Sequence, residues 1–409
     1  MKRLAVIGAG IAGIAAACRL QRHGHRVTVF EARERAGGRV WSPEIATPAG
    51  LSVIERGAEF ILPNYYRTQE LVDEFGLELV DTGMSYYIRE PGDAPNITAA
   101  DITEAGTEAG EIAAATDPDS TAEDILQQLD ATPELIDALR CRIEISAAVR
   151  SKKVVAGALN KVASFEPLRS YRIGGGNQLL ANALAAKLDD AIHFNKPVTA
   201  VQPTEGGGVQ VSTSNEDSQF DAAIVALPIG VLRAGQMIDV PTTEERERVL
   251  AKVVQGHAAK LHVALKDTPA TSAVMSVRGR YWTWTAQDAS GKVTPVLNSF
   301  MGTEEAIENA NIENDLSNWL EDARALRPDL RLNDEAVATV WSTDPLALGA
   351  YSAHSGEFSA EETAVLEQPI GDIYFAGEYA DPTYTGLIEG AIRSGERVAD
   401  LINNSPQGA

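Results

Sequence analysis

Cysteine is nearly absent from this sequence. Its two cysteines, Cys18 and Cys141, lie on separate predicted helices, so a disulfide framework is excluded and a reducing compartment, the cytoplasm, is expected. No cysteines and histidines are grouped at the spacing of metal ligands, so we expect no bound metal. An apolar run of about 18 residues is also missing, which excludes a helical membrane span.

Basic residues are few as well. The chain has 35 Lys and Arg against 58 Asp and Glu, a formal net charge of −23, and Pro91–Leu139 contains no basic residue at all. This balance argues against a nucleic-acid partner. We interpret the acidic segment 91–139 chiefly as the solvated face of a helical layer, with electrostatic steering of cations as the alternative.

The rest of the composition is that of an ordinary soluble protein, with 44% hydrophobic and 23% charged residues. A length of 409 residues exceeds a single simple core, which predicts two domains. The segment Met1–Leu20 superficially resembles a signal peptide, because Lys2 and Arg3 precede an apolar run. A glycine motif within that segment explains the apolar run better than a signal peptide does, since removal of a signal peptide would destroy the motif.

The N-terminus has the pattern of a strand, a glycine turn and a helix. The apolar strand Leu4–Ile7 is followed by Gly8, Gly10 and Gly13 at the spacing G-x-G-x-x-G, and a helix is predicted over Ile11–His23. Gly8 permits the tight turn, Gly10 lets a phosphate approach the backbone, and Gly13 lets the helix pack on the strand. A glycine-rich turn in an ordinary βαβ unit is the alternative.

The next residues favour a dinucleotide site. The predicted strand Arg26–Phe30 ends at Glu31, where a carboxylate can accept hydrogen bonds from a ribose. Gly37-Gly38-Arg39 then follows, flanked by Arg33. An arginine at this position can pair with a pyrophosphate, which a unit that binds only a nicotinamide cofactor does not require.

The stretch Val6–Arg39 resembles the N-terminal signature of FAD-dependent amine oxidases, VxGAGxAGxxAAxxLxxxGxxVxVxEARxRxGGR. That family includes monoamine, polyamine and L-amino-acid oxidases and the flavin histone demethylases. The resemblance implies an α/β fold in which a Rossmann-like FAD domain is interleaved with a substrate domain made of a sheet and helices. We therefore expect an FAD-binding domain from residues 1–84, 170–250 and 346–409, and a substrate-binding domain from 85–169 and 251–345.

A second signature near the C-terminus supports the same family. Asp372–Leu401, DIYFAGEYADPTYTGLIEGAIRSGERVADL, resembles the family's F-A-G-E…G-x-x-x-G-A…S-G pattern. The resemblance implies a strand Ile373–Ala376, a carboxylate of Glu378 near the ribityl hydroxyls, and a helix from Gly386 whose first amides face the flavin. The two signatures bound the chain, and the resemblance covers almost everything except roughly residues 85–170.

The resemblance also implies which residues bind the cofactor. They are Gly8, Gly10, Ala12, Gly13, Glu31, Arg33, Gly38, Arg39, Gly57, Ala58, Val198, Gly377, Glu378 and Leu387. Val198, in a predicted strand His193–Gln202, would contact the adenine through its backbone. Some members carry a cysteine bonded to the flavin 8α carbon, and Ala350 stands at that position, so FAD is expected to be non-covalent.

Three residues are implied as catalytic: Lys260, Trp341 and Tyr351. In the family, a lysine on the strand that corresponds to Ala258–Lys266 holds a water over flavin N5. An inward lysine is costly to bury without an acceptor, and an outward lysine on an edge strand is the alternative. Trp341 would pack beside the flavin, and Tyr351 matches one wall of an aromatic pair that orients the amine, with a core tyrosine as the alternative.

Substrate contacts are implied for Glu59, Phe60, Tyr351 and Leu387. Glu59 would pair either with a substrate ammonium group or, within the protein, with backbone beside the flavin or a nearby arginine. Leu387 replaces the tyrosine that forms the second aromatic wall in monoamine oxidases, and Phe60 replaces a gate tyrosine. These departures argue against arylethylamine specificity.

Periodicity predicts the remaining elements. They include helices over Tyr66–Gly76, Asp101–Ala115, Thr121–Leu129, Leu135–Val149 and Ile312–Leu326, and strands over Val209–Ser214, Phe220–Leu227, Tyr281–Thr285, Val293–Met301 and Val337–Trp341.

The expected reaction is oxidation of an amine C–N bond to an imine by hydride transfer to FAD, with O2 as oxidant and H2O2 as product. One alternative is a C–C-oxidising enzyme of the phytoene desaturase or protoporphyrinogen oxidase type, which the acidic composition disfavours. A non-catalytic FAD-binding protein is another. The expected partners are a small amine and O2, with no nucleic acid and no membrane span, and a homodimer is left open.

Overall fold

The computed structural model describes residues 1–161, 163–312 and 314–404. Within them the chain forms twelve α-helices: α1 Ile11–Arg22, α2 Tyr66–Glu74, α3 Ala99–Ala115, α4 Ala122–Leu126, α5 Pro133–Ala147, α6 Gln178–Leu188, α7 Ile229–Ala234, α8 Glu244–Leu250, α9 Glu304–Asn309, α10 Ser317–Leu326, α11 Ala360–Glu367 and α12 Ile388–Asn404. The same residues form twenty strands: β1 Arg3–Ile7, β2 Arg26–Phe30, β3 Glu44–Thr47, β4 Gly50–Val53, β5 Leu79–Asp81, β6 Glu90–Pro91, β7 Tyr171–Ile173, β8 Ile192–His193, β9 Val198–Pro203, β10 Val209–Thr213, β11 Asp217–Phe220, β12 Ala222–Val225, β13 Val253–Gln255, β14 Ala258–Leu265, β15 Ser272–Ser276, β16 Tyr281–Thr285, β17 Val296–Gly302, β18 Leu332–Val340, β19 Ser352–His354 and β20 Ile373–Phe375.

Five parallel strands form the first sheet in the order β20-β12-β1-β2-β8. Both of its faces are covered, which explains why β1 is apolar at consecutive positions. Leu4 and Val6 pack with residues of α1, α6 and α12, whereas Ala5 and Ile7 pack with the three-stranded sheet β11-β10-β9. The carboxyl ends of the parallel strands share one edge, where such sheets bind ligands.

The first and last helices, α1 and α12, pack closely. A Cβ on Gly395 would lie 2.1 Å from the backbone oxygen of Ala12, so only glycine fits this crossing. At the far end, the Arg19 guanidinium donates two hydrogen bonds to the Asp400 carboxylate, at 2.7 and 2.8 Å. The two ends of the chain are therefore joined in one core.

Six strands form the second sheet in the order β18-β14-β17-β16-β15-β6, antiparallel except for the pairing of β15 with β6. One face, which includes Leu261 and Tyr281, packs with α9 and α10. The opposite face, which includes Trp282, packs with α3, α4 and α5. In cross-strand register, Phe300 lies opposite both Lys260 and Trp282, so these three residues form a row on that second face.

The fold class is confirmed, and most elements lie within a few residues of their predicted bounds. β16 has the predicted bounds, Tyr281–Thr285. The expected boundaries of the two domains stay a prediction, and the end of the last segment, residues 405–409, lies outside the described residues.

Three element predictions are wrong in detail. His193–Gln202 is two strands, β8 and β9, in different sheets, because Asn195 has a φ of 55° and Pro197 follows it. The helix predicted over Ile312–Leu326 begins only at Ser317, with residue 313 outside the described part. The C-terminal helix begins at Ile388, because the φ of 80° at Gly386 is not helical.

Across the described ranges, every helix is too short or too polar to cross a bilayer, and no group of His, Cys, Asp and Glu could hold a metal ion. Cys18 and Cys141 are both buried free thiols.

Candidate functional site

A cavity of about 1510 Å³, including its solvent-open part, follows the carboxyl edge of the first sheet. It is bounded by both glycine turns predicted from the sequence. Its walls contain thirteen of the fourteen predicted cofactor residues: Gly8, Gly10, Ala12, Glu31, Arg33, Gly38, Arg39, Gly57, Ala58, Val198, Gly377, Glu378 and Leu387. Gly13 is not among the described wall residues.

Gly10 and Gly13 serve different purposes in the turn. A Cβ on Gly10 would meet no atom within 4 Å, so this residue faces open space at the N-terminus of α1. A Cβ on Gly13 would lie 2.0 Å from the backbone oxygen of Gly8. Gly10 therefore leaves room for a phosphate at a helix N-terminus, and Gly13 allows the helix to pack on the turn.

Glu31 is held in place at the end of β2. Its two carboxylate oxygens each accept a backbone N–H at 2.7 Å, one from Ala9 and one from Arg33. Each oxygen retains a second lone pair for a ribose hydroxyl. Together with the space at Gly10, this donor and acceptor set fits a dinucleotide.

Both predicted arginines pair with acids of the chain. Arg33 donates to Asp344 at 2.7 Å. Arg39 donates to Glu378 at 3.0 Å and to the backbone oxygen of Ala350. Each guanidinium still lines the cavity, and its predicted contact with a pyrophosphate stays a prediction.

The far end of this cavity is narrow and rigid. A Cβ on Gly57 would lie 1.8 Å from the backbone oxygen of Arg39 and 3.4 Å from the indole of Trp341. Trp341 is buried, and its indole N–H donates to the backbone oxygen of Arg56 at 2.9 Å. The start of α12 also lies here, because Gly386, Leu387 and Ile388 are all wall residues.

A second cavity, of about 1730 Å³ including its open part, adjoins the first. Eight residues line both cavities: Gly57, Ala58, Lys260, Phe300, Tyr351, Gly386, Leu387 and Ile388. We refer to these eight as the junction. Nine aromatic residues line the second cavity: Phe60, Tyr65, Tyr86, Tyr87, Trp282, Trp284, Phe300, Tyr351 and Tyr384.

Tyr351 is anchored at the junction from outside the cavity. Its hydroxyl donates to the backbone oxygen of Ser146 on α5 at 2.7 Å, and its ring faces that of Phe300. Burial raises the pKa of Tyr351 well above its ordinary value, although the charges of Arg89 and Arg142 oppose this. Tyr351 therefore presents a fixed, neutral ring.

Lys260 lies on the interior strand β14 and is 3% exposed, so the alternative of an outward lysine on an edge strand is wrong. Its ammonium group donates to Glu59 at 2.8 Å and to the backbone oxygen of Gly57 at 3.2 Å. The other oxygen of Glu59 accepts the indole N–H of Trp284 at 3.0 Å and lies 3.8 Å from Arg172. For Glu59, this geometry favours pairing within the protein over contact with a substrate ammonium group.

Two more buried titratable groups lie behind Lys260. Burial raises the pKa of Glu55 to about 7, although hydrogen bonds from Ser42 and Asn177 lower it. Burial, followed by the charge of Lys260, lowers the pKa of His262 to about 3. His262 is therefore neutral at physiological pH.

Sequence reasoning missed several wall residues, namely Tyr86, Tyr87, Trp282, Trp284 and Phe300. The segment YWTWT did carry a signal, because alternation in a strand places its two tryptophans on one face. The segment does not show that this face is turned toward Glu59 and Lys260, because that orientation depends on the pairing of three distant strands.

Comparison with known proteins gives a consistent result. A family model described as flavin-containing amine oxidoreductase matches residues 11–403. The chain is 24% identical to the flavin-dependent L-tryptophan oxidase RebO of Lentzea aerocolonigenes, over 96% of each chain. It is also 24% identical to polyamine oxidase 4 of Oryza sativa subsp. japonica, over 97% of this chain and 87% of the relative.

A solved structure shows the same fold. Cyclohexylamine oxidase from Brevibacterium oxydans superposes with a TM-score of 0.80 over 100% of both chains, at 20% identity.

Proposed function

The chain belongs to the flavin-containing amine oxidoreductase family and oxidises amines, and on that premise we propose that its cofactor is FAD, held without a covalent bond. Support comes from the space at Gly10, the acceptors on Glu31 and the rigid end at Gly57, which together fit a flavin dinucleotide. Ala350 lines the cavity, whereas neither Cys18 nor Cys141 is among its described wall residues. Because both thiols are buried and free, we also propose that the enzyme works in the cytoplasm.

We propose that the C–N bond of the amine is oxidised at the junction. When bound, FAD would supply the redox chemistry, the two-electron oxidation of the amine to an imine by hydride transfer, with O2 as the final acceptor and H2O2 as the product. The observation that carries this proposal is that the dinucleotide-shaped cavity and the aromatic cavity meet at eight shared residues. An amine in the second cavity would thus lie against the flavin end of the first.

The residues of the junction position the reactants. Trp341 and Gly57 form a rigid floor for the flavin ring, and Tyr351 and Phe300 form walls that orient the body of the amine. Lys260 directs a fixed hydrogen-bond donor into the same space. Leu387, at the start of α12, closes the remaining side with an apolar surface.

We propose a monoamine with a flat or alicyclic apolar body as the substrate. Nine aromatic residues line its cavity, and the carboxylate at the inner end, Glu59, is already paired with Lys260. The remaining charged wall residues are Lys161 and Glu166, both exposed, and Glu357, which is paired with Lys161 at 3.4 Å. A second ammonium group deep in the cavity would therefore find no free carboxylate among the described residues.

Anaerobic titration of the yellow protein tests both parts of the proposal. Benzylamine and cyclohexylamine should bleach the flavin absorbance at lower concentrations than putrescine or spermidine. Admission of air should restore the colour and release H2O2. Bleaching by polyamines alone would contradict the substrate class, and no bleaching by any amine would contradict the site.

A further inference from the structure

We infer that Glu59 is a positioning residue that holds Lys260 as a fixed ammonium ion at the junction. Lys260 then acts as a positive charge and a hydrogen-bond donor and does not act as a base. This inference rests on the proposed function, because it assigns the junction to the reacting groups.

The contacts of Glu59 leave Lys260 little freedom. Its carboxylate lies 2.8 Å from the Lys260 ammonium, and the two side chains are only 2% and 4% exposed. The indole N–H of Trp284, at 3.0 Å, fixes the second carboxylate oxygen and so sets the orientation of the whole group. A buried ion pair of this geometry keeps both members charged, since neutralising one would leave the other buried without a counter-charge.

One N–H of Lys260 remains for the site. An ammonium group has three donors, and those of Lys260 meet Glu59 and the backbone oxygen of Gly57. Among the residues that the structure describes, no acceptor is found for the third. Because Lys260 lines both cavities, this donor is available to a water or a ligand at the junction.

The other charged and titratable groups around the pair do not replace Glu59. Arg172 on β7 lies 3.8 Å from the carboxylate of Glu59, and Arg56 precedes Gly57 in the adjoining loop, so both add positive charge. His262 on β14 is neutral, and burial raises the pKa of Glu55 to about 7. Without Glu59, the ammonium group of Lys260 would face mainly cations and would lose the contact that fixes its position.

A fixed ammonium ion has two consequences for the reaction. It repels a protonated substrate, so the amine binds at the junction in its neutral form, which is the form that can release a hydride. It also places a positive charge where negative charge accumulates as the hydride arrives, and a preorganised charge of this kind stabilises the transition state.

A double-mutant cycle of Glu59→Gln and Lys260→Gln in the FAD-loaded enzyme tests this inference. Each single variant leaves one buried charge unpaired and should lower the melting temperature, whereas the double variant should recover most of the loss. The rate of anaerobic flavin reduction by the best amine should fall about tenfold or more in all three variants. The flavin midpoint potential should become more negative in Lys260→Gln and in the double variant, which lose the positive charge at the junction, and more positive in Glu59→Gln, which keeps that charge and loses the neighbouring negative one.

Glu144→Gln is the matched control. Glu144 is a buried carboxylate paired with Arg150 at 3.2 Å, and it lines neither cavity. Its loss should lower the melting temperature and leave the potential and the reduction rate within about twofold of wild type.

The cycle separates positioning from a merely structural role. If the double variant recovered the reduction rate and the potential together with the melting temperature, the inference would be overturned. An unchanged potential in Glu59→Gln would overturn it as well. If no amine bleached the wild-type flavin, the proposed function would fail, while the potentials and melting temperatures would still decide whether Glu59 holds Lys260 in place.

Discussion

The rings of Phe300 and Tyr351 lie nearly parallel, 11° apart, with their centroids separated by 6.5 Å. A flat group stacked between two rings needs about 3.5 Å on each side, so this spacing is close to that of an aromatic slot. We therefore propose Phe300, on β17, as a second aromatic wall, although Leu387 occupies the sequence position where that wall was expected.

We predict that Phe300→Ala selectively impairs the use of aromatic amines. Loss of one ring removes both buried apolar surface and ring contact, which together are worth about 1.5–3 kcal/mol, so kcat/KM for benzylamine should fall about tenfold or more. Steady-state peroxide release measures this. FAD content should not change, and Phe194→Ala, at an exposed site, should behave like wild type. An equal loss for putrescine would argue against the slot.

Alanine substitutions at the two glycines of the N-terminal turn should have different effects, one on cofactor binding and the other on folding. Gly10→Ala places a methyl group in open space, so the apoprotein should melt at its wild-type temperature while FAD binds about tenfold or more weakly. Gly13→Ala forces a methyl group to 2.0 Å from the backbone oxygen of Gly8 and should destabilise the apoprotein itself. Thermal melts and FAD titrations measure both effects, and wild-type FAD affinity in Gly10→Ala would contradict the assignment.

Acid precipitation should release all FAD from the wild-type protein into the supernatant. Ala350→Cys places a thiol in the cavity wall at the position that carries the flavin bond in some family members, and part of its FAD should remain with the precipitate. The control is Ala347→Cys, which is fully buried and does not line the cavity. Yellow colour retained by the precipitated wild-type protein would contradict non-covalent binding.

Glu55 should make stability depend on pH. Its folded-state pKa of about 7 lies above the ordinary value of 4.5, so the stability that its proton provides is complete below pH 4.5 and is lost as pH rises through 7. The full effect is about 3 kcal/mol. Glu55→Gln stays neutral, and its stability relative to wild type should therefore increase from pH 4.5 to 8.

Urea unfolding at several pH values measures this difference. His262 acts with the opposite sign, because its lowered pKa costs stability as pH falls below 6.5, but it is present in both proteins and cancels in the comparison. Glu70→Gln, at a largely exposed site, should show no such trend. A difference that is constant with pH would contradict the assignment of a buried, protonated Glu55.

The parts of the fold that follow from local pattern were predictable from the sequence. Glycine spacing, apolar runs and the acid after β2 identify the βαβ unit, since each reflects the conformation of its own segment. The break between β8 and β9 after His193 could not be predicted from the sequence, because Pro197 alone does not show that the chain leaves one sheet for another.

Contacts across the site were harder to predict. Lys260 was identified as a candidate because an apolar strand carries a charge, yet its partner Glu59 lies 201 positions away in sequence. Phe300 and Trp284 reach the site only through the register of β14, β17 and β16, which no single segment encodes.

The close packing of α1 against α12 joins a segment that is synthesised first to one that is synthesised much later. Gly8 and Gly10 border the same cavity as residues 386–388, so the binding place for the cofactor is unfinished until residue 388 has been synthesised. Flavin loading should therefore follow the synthesis of both glycine turns. Any product truncated before Ile388 lacks one wall of that place, so it should not retain the flavin.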